Sequence, residues 1–461
     1  MKIYNSLTRR KEEFVPLEKG KVKMYACGIT PSAEAHIGHL YQALIYDIMR
    51  KFLEKEGYSV SYARNYTDID DKIIAKSNEL NENAKDYAER IIKSIDSEMK
   101  KFDVDEPNIW LRATENIDNI IDFIQKLIDK GYAYVTKKGD VYFSVEKFRS
   151  YGKLSGRKIE DALDGVRIEN EEDKEKPLDF ALWKSAKEGE PSWKSPWSYG
   201  RPGWHIECSV MNHATFGDQI DIHGGGRDLV FPHHENEIAQ TESLTGKEFV
   251  KYWTHNGLIR VNGQKMSKSL GNSLLMKDLR EQYHIESIKF ALLQNSYHTD
   301  INITDNLFKD AEKHLYSFYK VLQDAEKLGR LSGKDNSVEE NFDCAMRDDF
   351  NTAKAISYLF GIFKTAKEKV EKNDTSVLAT LNSVVKTYSL LGLFKAKPSD
   401  FVSYVESKKQ EIPDEILALA KKRWDAKKEK NYALADEIRL KIDALGYVMK
   451  DSKEGYEIIK K

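Results

Sequence analysis

The chain is poor in cysteine, with three cysteines in 461 residues. So few cysteines cannot form the disulfide framework of a small secreted protein, and they indicate a reducing compartment. No stretch approaches the about 18 uncharged apolar residues of a membrane span, so we expect no membrane association. The formal net charge of −2 excludes a globally basic surface. Any site for a polyanion must therefore be a local patch.

Two further signals are missing. The N-terminal stretch "MKIYNSLTRRKEEF" lacks the apolar core of a secretory signal, so we expect a cytoplasmic protein. The sequence GxxxxGK[ST] does not occur, which argues against P-loop chemistry.

The N-terminal region predicts an α/β fold. "KVKMYACGIT" and "YSVSYARNYT" have the pattern of strands, and apolar residues recur at helical spacing between them, from Ile37 to Leu53. A strand, a helix and a second strand in this order form a parallel crossover unit. Cys27 then lies near the carboxyl end of a strand, where open α/β sheets bind their ligands.

Four residues that are far apart in the sequence are permitted zinc ligands. They are Cys27, Cys208 and, at positions i and i+4 of a predicted helix in "FPHHENEIAQ", His233 and Glu237. The spacing differs from that of structural zinc fingers, where cysteines come in close pairs. The alternative is that both cysteines are small buried core residues. The residues by themselves leave both interpretations open.

Two short stretches suit phosphate binding. "HIGH", from His36 to His39, is predicted at a helix N-terminus, where free N–H groups favour phosphate and Gly38 lets a flat ring approach. "KMSKS" places Lys265 and Lys268 on a loop flanked by glycines, where they can stabilise the charge of a leaving pyrophosphate. Each stretch alone is a weak signal.

Together and in this order, HIGH and KMSKS resemble the signature pair of the class I aminoacyl-tRNA synthetases. Other stretches narrow the resemblance to the cysteinyl-tRNA synthetase family. They span nearly the whole chain and are "CGIT", "NYTDIDDKI", "GDVYFSVEKFRSYGKLSG", "PGWHIECS", "DIHGGGRDLVFPHHENEIAQ", "HNGLIRVNGQKMSKSLGN", "DDFNTAKA" and "YALADEIR".

The resemblance implies an amino-acid pocket with one zinc ion, held by the residues that match the family's ligands. These are Cys27, Cys208, His233 and Glu237. A zinc ion can bind the thiolate of L-cysteine and so separate it from serine, which a pocket of hydrogen bonds would do poorly. Thr67 and Trp204 are implied to line the same pocket, with Cys27 also facing the substrate. For His234 we expect a packing or supporting role.

The resemblance also implies the reaction, in which ATP with Mg²⁺ activates L-cysteine and the cysteinyl group passes to tRNA(Cys). The catalytic residues implied are His36, His39, Lys265 and Lys268, which stabilise phosphate charge, and Gly38, His39 and Lys268 contact ATP.

The expected architecture is a Rossmann-like, parallel-sheet catalytic domain with an inserted subdomain, followed by an α-helical bundle and a small C-terminal anticodon-binding unit. The predicted boundaries are 1–115 for the first half of the catalytic domain, 116–190 for the connective insert, 191–255 for the second half, 256–304 for the KMSKS-bearing linker, 305–410 for the bundle and 411–461 for the RNA-binding unit. We expect a monomer.

Two departures from the family pattern leave room for another acceptor. Pro31, Ser32 and Ala33 follow "CGIT", and Leu40, Tyr41 and Gln42 follow HIGH, where the family has other residues. Relatives that join cysteine to a small amino sugar (mycothiol-ligase-like enzymes) also tolerate proline at the first position. A cysteine ligase acting on a non-tRNA amine is therefore one alternative, and a non-catalytic RNA-binding paralogue is another.

The C-terminal region favours an RNA acceptor over an amine. The stretch "KKRWDAKKEKNYALADEIR" combines basic and aromatic residues, which suit phosphate contact and base stacking. The RNA-binding residues predicted here are Lys421, Arg423, Trp424, Lys427 and Lys428. The ordinary interpretation of such a run is a solvated helix face, and the match to "YALADEIR" favours RNA.

Overall fold

The structure is a computed structural model, and it describes residues 1–157, 174–265, 273–304, 306–408, 413–451 and 455–460. The strands in this part of the chain are β1 (Lys2–Asn5), β2 (Arg10–Glu13), β3 (Lys21–Ile29), β4 (Ser59–Tyr66), β5 (Ile109–Arg112), β6 (Ala133–Val135), β7 (Val141–Phe143), β8 (Phe180–Ser185), β9 (Trp193–Lys194), β10 (Tyr199–Pro202), β11 (Ile220–Gly226), β12 (Val250–Asn256), β13 (Ile259–Val261), β14 (Gln264–Lys265), β15 (Ile301–Ile303), β16 (Tyr447–Asp451) and β17 (Tyr456–Lys460).

The helices alternate with the strands in the first half of the chain and predominate after residue 303. They are α1 (Ile37–Lys55), α2 (Asp71–Glu79), α3 (Ala84–Lys101), α4 (Ile117–Asp129), α5 (Trp204–Phe216), α6 (Glu235–Thr245), α7 (Met276–Gln282), α8 (Ile285–Leu293), α9 (Leu307–Glu326), α10 (Asn336–Met346), α11 (Thr352–Glu371), α12 (Val377–Tyr388), α13 (Pro398–Ser407), α14 (Asp414–Lys428) and α15 (Tyr432–Ala444). Among the described residues, no helix combines the length and the apolar character needed to cross a bilayer.

The central sheet has five parallel strands in the order β12-β11-β3-β4-β5. The strand β3, the helix α1 and the strand β4 form the predicted crossover unit. From β3 the chain moves outward to β4 and β5, whereas β11 is followed by β12 on the other side. The strand order therefore reverses between β3 and β11. In open α/β sheets, ligands bind at this switch point, outside the carboxyl ends of the strands.

A second sheet, with the order β6-β7-β8-β10-β9, is antiparallel and lies between the two halves of the central sheet along the chain. The strands β6 and β7 form a hairpin around "TKKGD", a turn that the sequence itself indicates, because Lys, Gly and Asp there separate two runs of aromatic and β-branched residues. Buried apolar residues of α4, including Phe123 and Leu127, share one core with Phe143 and Trp183 of this sheet. The sheet continues to Pro202, past residue 190, where we predict that the insert ends.

The chain forms two compact units, Met1–Ser399 and Asp400–Lys461. In the first unit, α9 to α12 are the long amphipathic helices that the sequence predicts, and Phe318 of α9 stacks on Phe363 of α11 with ring centroids 4.4 Å apart. In the second unit, α14, α15 and the β16–β17 hairpin enclose a small apolar core around Ile416, Ile438 and Tyr447. The domain boundaries drawn from the sequence stay predictions.

Candidate metal centre and nucleotide site

The switch point of the central sheet holds a buried cluster of thiol, imidazole and carboxyl groups. Cys27 comes from the end of β3, Cys208 from α5, His233 from the turn that precedes α6, and Glu237 from the first turn of α6. Each of the four residues is at most 4% exposed. We call these four residues the metal cluster, because their ligand atoms all lie within 4.8 Å of one another and could hold a metal ion.

The spacing within the metal cluster fits one tetrahedral ion. The two Sγ atoms of Cys27 and Cys208 are 3.8 Å apart, and Cys27 Sγ is 3.5 Å from Glu237 Oε1. His233 Nε2 is 3.1 Å from the same oxygen. Around a tetrahedral ion with bonds of zinc length, two thiolates lie about 3.8 Å apart, a thiolate and an oxygen about 3.6 Å, and a nitrogen and an oxygen about 3.3 Å.

A second possible ligand set shares two members with the first and adds His223 and His234. His223 Nε2 is only 2.8 Å from Glu237 Oε2, which is a hydrogen-bond distance rather than the separation of two ligands of one ion. His234 Nε2 lies 3.3 Å from Cys27 Sγ, and its Nδ1 is 2.8 Å from His255 Nε2. These contacts favour supporting roles for both histidines, as the sequence predicts for His234.

Burial and ion pairing set the charges in the metal cluster. Burial disfavours the Glu237 carboxylate, but His223 and His233 outweigh burial and hold the pKa of Glu237 at about 2. Burial likewise opposes the charged form of His233, but hydrogen bonds to Cys208 and Glu237 raise its pKa to about 10. The hydrogen bond from Cys27 lowers the pKa of Cys208. A metal ion must displace the proton of His233, so metal binding weakens as the pH falls.

A chain of hydrogen bonds connects the metal cluster with the N-terminal segment. His255, at the end of β12, lies between His234 and Ser6, with His255 Nδ1 2.8 Å from the Ser6 hydroxyl. Burial lowers the pKa of His255 to about 3 and the pKa of His234 well below its usual value. Both imidazoles are therefore neutral near pH 7 and can fix the orientation of the groups that they contact.

The two other pocket residues predicted from the sequence lie beside the metal cluster. The indole of Trp204 stacks on His233 with ring centroids 4.3 Å apart. Trp204 is 41% exposed, so it lies between the buried cluster and solvent. Thr67 follows β4 and is buried, and its hydroxyl contacts the side chain of Asn65. Trp204 also lines a cavity of about 250 Å³ together with Thr30 and Asn236.

The HIGH stretch forms the N-terminus of α1, as the sequence predicts. His36 caps the helix by accepting a hydrogen bond from the backbone N–H of Gly38, and its ring stacks on that of His39 at 3.7 Å. His36, Gly38 and His39 line a cavity of about 300 Å³ at the carboxyl ends of β3 and β12. Gly28 lines it too, and a side chain there would collide with the backbone of Asn65. This cavity, which we call the phosphate cavity, thus combines free space with the positive end of the α1 dipole, while the first N–H groups of the helix are already engaged within the protein.

The KMSKS stretch falls mostly on residues 266–272, outside the described residues, and Lys268 is among them. Lys265 belongs to β14, where its backbone pairs with Arg260. The residues that follow the stretch are joined to HIGH, because the N–H of Ile37 donates to the carbonyl of Leu274 at 2.9 Å. Ser273 lines the same cavity as the two histidines. The chain thus returns to the phosphate cavity directly after KMSKS.

The two departures from the family pattern are built into the site. Gln42 is buried, and its side-chain amide donates a hydrogen bond of 2.6 Å to the backbone carbonyl of Cys27. Tyr41 is buried and donates to the carbonyl of Tyr297. The carbonyl of Ser32 accepts a hydrogen bond from the Tyr87 hydroxyl. These residues hold the segments around Cys27 and HIGH in place, and the metal cluster keeps its four members.

The predicted RNA-binding residues of α14 have different environments. Lys421 and Lys428 are exposed, and Lys428 Nζ lies 5.6 Å from the ring of Trp424. Arg423 is 4% exposed and forms a two-pronged ion pair with Asp451 at 2.7 and 2.9 Å. Lys427 pairs with the same carboxylate at 2.6 Å. The guanidinium of Arg423 is therefore committed to the core of its own unit, which argues against its predicted contact with RNA.

Sequence reasoning missed His223 and His255. Both lie on strands of the central sheet whose residues are nearly all buried, so no alternation of polar and apolar residues distinguishes them. Only the register of β11 beside β3 and β12 brings their rings to the metal cluster.

Known proteins resemble this chain in both sequence and fold. The family model described as "tRNA synthetases class I (C) catalytic domain" matches residues 13–313, and the model of the DALR domain matches residues 341–395. The chain is 43% identical to the cysteine–tRNA ligase of Caldicellulosiruptor saccharolyticus over 99% of both chains. It is 44% identical to that of Geotalea daltonii over 99% of this chain and 98% of that one.

The fold is similar to that of Mycobacterium tuberculosis methionyl-tRNA synthetase in complex with methionyl-adenylate. The TM-score is 0.60, over 81% of this chain and 90% of that chain, with 13% sequence identity. This likeness concerns the fold alone, and it confirms the predicted Rossmann-like, class I architecture. The full-length sequence similarity confirms the narrower resemblance, and the chain belongs to the cysteine–tRNA ligases of the class I aminoacyl-tRNA synthetase family.

Proposed function

We propose that the chain is a zinc-dependent enzyme that activates L-cysteine with ATP and transfers the cysteinyl group to tRNA(Cys). The observation that carries the proposal is the tetrahedral spacing of the buried metal cluster, Cys27, Cys208, His233 and Glu237. Two thiolates, one imidazole and one carboxylate are a donor set that zinc accepts. Family membership supplies the expectation that cysteine and tRNA are the substrates.

A zinc ion in the cluster would offer the soft sulfur of L-cysteine a coordination position that the hydroxyl of serine fills poorly. The protein's own part is to hold the ligands. The Nε2–H of His223 donates to the Glu237 carboxylate and fixes it, and His234 Nε2 lies against Cys27 Sγ and holds the thiol. Trp204 covers the ring of His233 on the solvent side and would lie beside the bound amino acid.

The chemistry proceeds in two steps. The carboxylate of cysteine attacks the α-phosphorus of ATP, which gives cysteinyl-adenylate and pyrophosphate. A terminal ribose hydroxyl of the tRNA then attacks the acyl carbon, and AMP leaves. No side chain forms a covalent bond to substrate in either step, so catalysis consists of positioning and charge stabilisation.

The nucleotide binds, in our proposal, in the cavity lined by His36, Gly38 and His39, with Mg²⁺ on its phosphates. The N-terminal end of α1 and the imidazoles of His36 and His39 would lie beside the phosphate chain. Lys265, at the end of β14, and Lys268, which lies outside the described residues, would stabilise the charge of the leaving pyrophosphate.

The proposed acceptor is tRNA(Cys), which the C-terminal unit would contact through Lys421, Trp424, Lys427 and Lys428. The exposed lysines beside a partly exposed indole support this role. The relatives that match the chain from end to end are cysteine–tRNA ligases, which disfavours both the amine-acceptor and the non-catalytic alternatives. We further propose that the enzyme is a cytoplasmic monomer.

Three measurements on the purified full chain test this proposal. Metal analysis should find about one zinc per chain, as expected for a single four-ligand site. Exchange of pyrophosphate into ATP should depend on L-cysteine and respond far less to L-serine. A tRNA with the cysteine anticodon should be acylated, whereas glucosamine-type amines should not. Cysteine-dependent exchange with transfer only to an amine would overturn the assignment of the acceptor.

A further inference from the structure

One wall of the phosphate cavity is not held by the central sheet. Gly257 and Leu258 line the cavity and connect β12 with β13. The pairing of β12 with β11 ends at Asn256, so strand pairing in this sheet does not fix the two residues that follow. Their positions therefore depend on another part of the chain.

The loop 294–300, between α8 and β15, supports this wall from behind. The N–H of Gly257 donates to the carbonyl of Tyr297 at 2.7 Å. A side chain on Gly257 would collide with the backbone oxygen of Thr299, so the wall and the loop are in close contact. The same Tyr297 carbonyl accepts a hydrogen bond from the Tyr41 hydroxyl at 3.2 Å. Because Tyr41 of α1 also lines the phosphate cavity, the loop holds two of its walls.

A buried carboxylate of the helix bundle holds this loop. Asp349 is 6% exposed and lies in the turn between α10 and α11. Its Oδ1 accepts a hydrogen bond from the Tyr297 hydroxyl at 3.0 Å, and its Oδ2 lies 2.9 Å from His298 Nε2. Oδ1 also accepts from the backbone N–H of Tyr4 in β1 at 2.8 Å. One side chain of the bundle thus ties the loop to the N-terminal strand.

The backbone that carries Asp349 has an uncommon conformation. Asp349 and Phe350 have φ angles of 67° and 49°, in the left-handed region that residues other than glycine rarely adopt. Two backbone hydrogen bonds hold this turn against β1, from the N–H of Asp349 to the carbonyl of Lys2 and from the N–H of Lys2 to the carbonyl of Arg347. Such conformations persist where the surrounding structure fixes them, and they are concentrated at functional sites. The turn therefore gives the carboxylate a fixed position.

Another buried carboxylate already joins the bundle to the catalytic region. Asp343 of α10 pairs with Lys55 at 2.6 Å, at the C-terminal end of α1. That end lies about 27 Å along the helix axis from Ile37, at 1.5 Å per residue, and the phosphate cavity lies at the opposite end. Asp343 thus holds the bundle against α1 far from the cavity, whereas Asp349 holds the loop that supports the cavity wall.

We propose that Asp349 is a positioning residue for ATP. It fixes the loop 294–300, and the loop fixes the wall of the phosphate cavity around Gly257. The inference rests on the proposed function, because it takes this cavity as the nucleotide site. His298 also contacts the His255 carbonyl at 3.2 Å, but the pairing of His255 with Gly225 in the central sheet fixes that backbone independently. Zinc and L-cysteine should therefore bind without the help of Asp349.

The variant Asp349→Gly tests the side chain alone, because glycine tolerates the left-handed backbone. Calorimetry on the full chain with Mg²⁺ measures binding of the analogue α,β-methylene-ATP. Its dissociation constant should rise about tenfold, which corresponds to the loss of one or two hydrogen bonds to the nucleotide. In cysteine-dependent pyrophosphate exchange, the KM for ATP should rise in parallel. The KM for L-cysteine and the zinc content should stay unchanged.

Three further variants separate positioning from a general structural role. Asp349→Asn keeps the shape and can accept from Tyr297 while its amide faces His298, so it should bind the analogue within about threefold of the unchanged protein. Tyr297→Phe removes only the hydroxyl that Asp349 holds and should weaken binding by an intermediate factor. Asp343→Asn is the matched control, because it disturbs the other buried contact between the bundle and α1, and it should leave ATP binding unchanged.

Unchanged affinity for the analogue in both Asp349→Gly and Tyr297→Phe would overturn the proposal. An equal loss in Asp343→Asn would also overturn it, because any loosening of the bundle would then weaken ATP binding. If Asp349→Gly fails to fold, Tyr297→Phe and Asp343→Asn decide the question. If the unchanged protein binds the analogue without cysteine-dependent exchange, the proposed function is wrong, while the affinities of the variants still decide the role of Asp349.

Discussion

The metal cluster and the basic helix α14 use charged residues in opposite ways. In the cluster, every proposed ligand is buried, and each touches another member or a supporting histidine. In α14, Lys421 and Lys428 are exposed, and their partners would come from outside the chain. Arg423 is the exception, because it is buried and paired like a member of the cluster. Chemical type alone therefore does not show whether a charged residue serves the fold or a ligand.

The largest expected effect comes from removing a ligand of the metal cluster. Cys208→Ser should lose bound zinc and reduce cysteine-dependent pyrophosphate exchange by at least about a hundredfold. Mutation of a residue that only hydrogen-bonds to a metal ligand already lowers metal affinity or activity by about 10- to 100-fold, and loss of the ligand itself should cost more. Metal analysis and the exchange assay measure the two effects. Cys344→Ser is the control, because Cys344 is exposed and should change neither. Full zinc content in Cys208→Ser would favour the alternative set with His223 and His234.

The C-terminal unit should matter for acylation and not for activation. Deletion from Pro413 onward should leave cysteine-dependent exchange largely intact, because the residues of the nucleotide cavity and the metal cluster all precede Ser399. It should reduce acylation of tRNA(Cys) strongly, by about a hundredfold if several phosphate and stacking contacts are lost. Equal acylation by the truncated and intact enzymes would show that this unit does not read RNA.

The supporting histidines provide a finer test of the metal cluster. His223→Gln should weaken zinc binding by about 10- to 100-fold, because the Glu237 carboxylate loses the partner that orients it. Competition with a chelator measures this affinity without any activity assay. His213→Gln, a partly exposed histidine near Asp218, is the control. Unchanged zinc affinity in His223→Gln would mean that Glu237 does not depend on this hydrogen bond.

The ion pair between Arg423 and Asp451 should stabilise the C-terminal unit. The hydrogen bond from Arg423 lowers the pKa of Asp451 well below its usual value. Because the pKa of Asp451 is lower in the folded protein than in the unfolded chain, its ionised carboxylate stabilises the folded state at pH values above about 3.9. This contribution is lost as the pH falls through the pKa of Asp451 in the folded state. At pH 7, Arg423→Met should cost about 1.5–3 kcal/mol.

Hydrogen exchange of the amides of β16 and α15 in the full chain measures this loss. The difference from the unchanged protein should shrink as the pH falls below about 4, the ordinary pKa of an aspartate side chain. Lys421→Met, on the exposed face of the same helix, should leave the exchange unchanged. If Lys421→Met destabilised the unit as much as Arg423→Met, the distinction between the two residues would fail.

The smallest effect is expected from the lysines at the end of α14. Replacing Lys427 and Lys428 with alanine should weaken tRNA binding modestly and make its salt dependence shallower. Each lost phosphate contact removes about 0.7 to 0.9 units from the log–log slope of affinity against salt. Filter binding at several salt concentrations measures this slope. An unchanged slope would assign the two lysines to pairing within the unit, as Lys427 pairs with Asp451.

In α14, helical periodicity and basic composition indicate different environments for Arg423. Ile416, Ala420 and Arg423 recur at helical spacing, and all three are buried on one face. That periodicity places Arg423 on the inner face, but the run of basic residues around it suggested a uniformly solvated surface. The partner, Asp451, lies 28 residues further along the chain on β16, so no local pattern could identify the pair.

The sequence by itself determined the crossover unit, the hairpin, the family and the four members of the metal cluster. Local periodicity and turn chemistry suffice for the first two, and matching stretches along the whole chain carry the others. Only the tertiary structure decided that His223 and His255 support the cluster and that Arg423 is an internal residue. Each of these depends on which distant side chains share a buried space. Strand register and packing determine which side chains meet, and no local pattern of residues predicts these contacts.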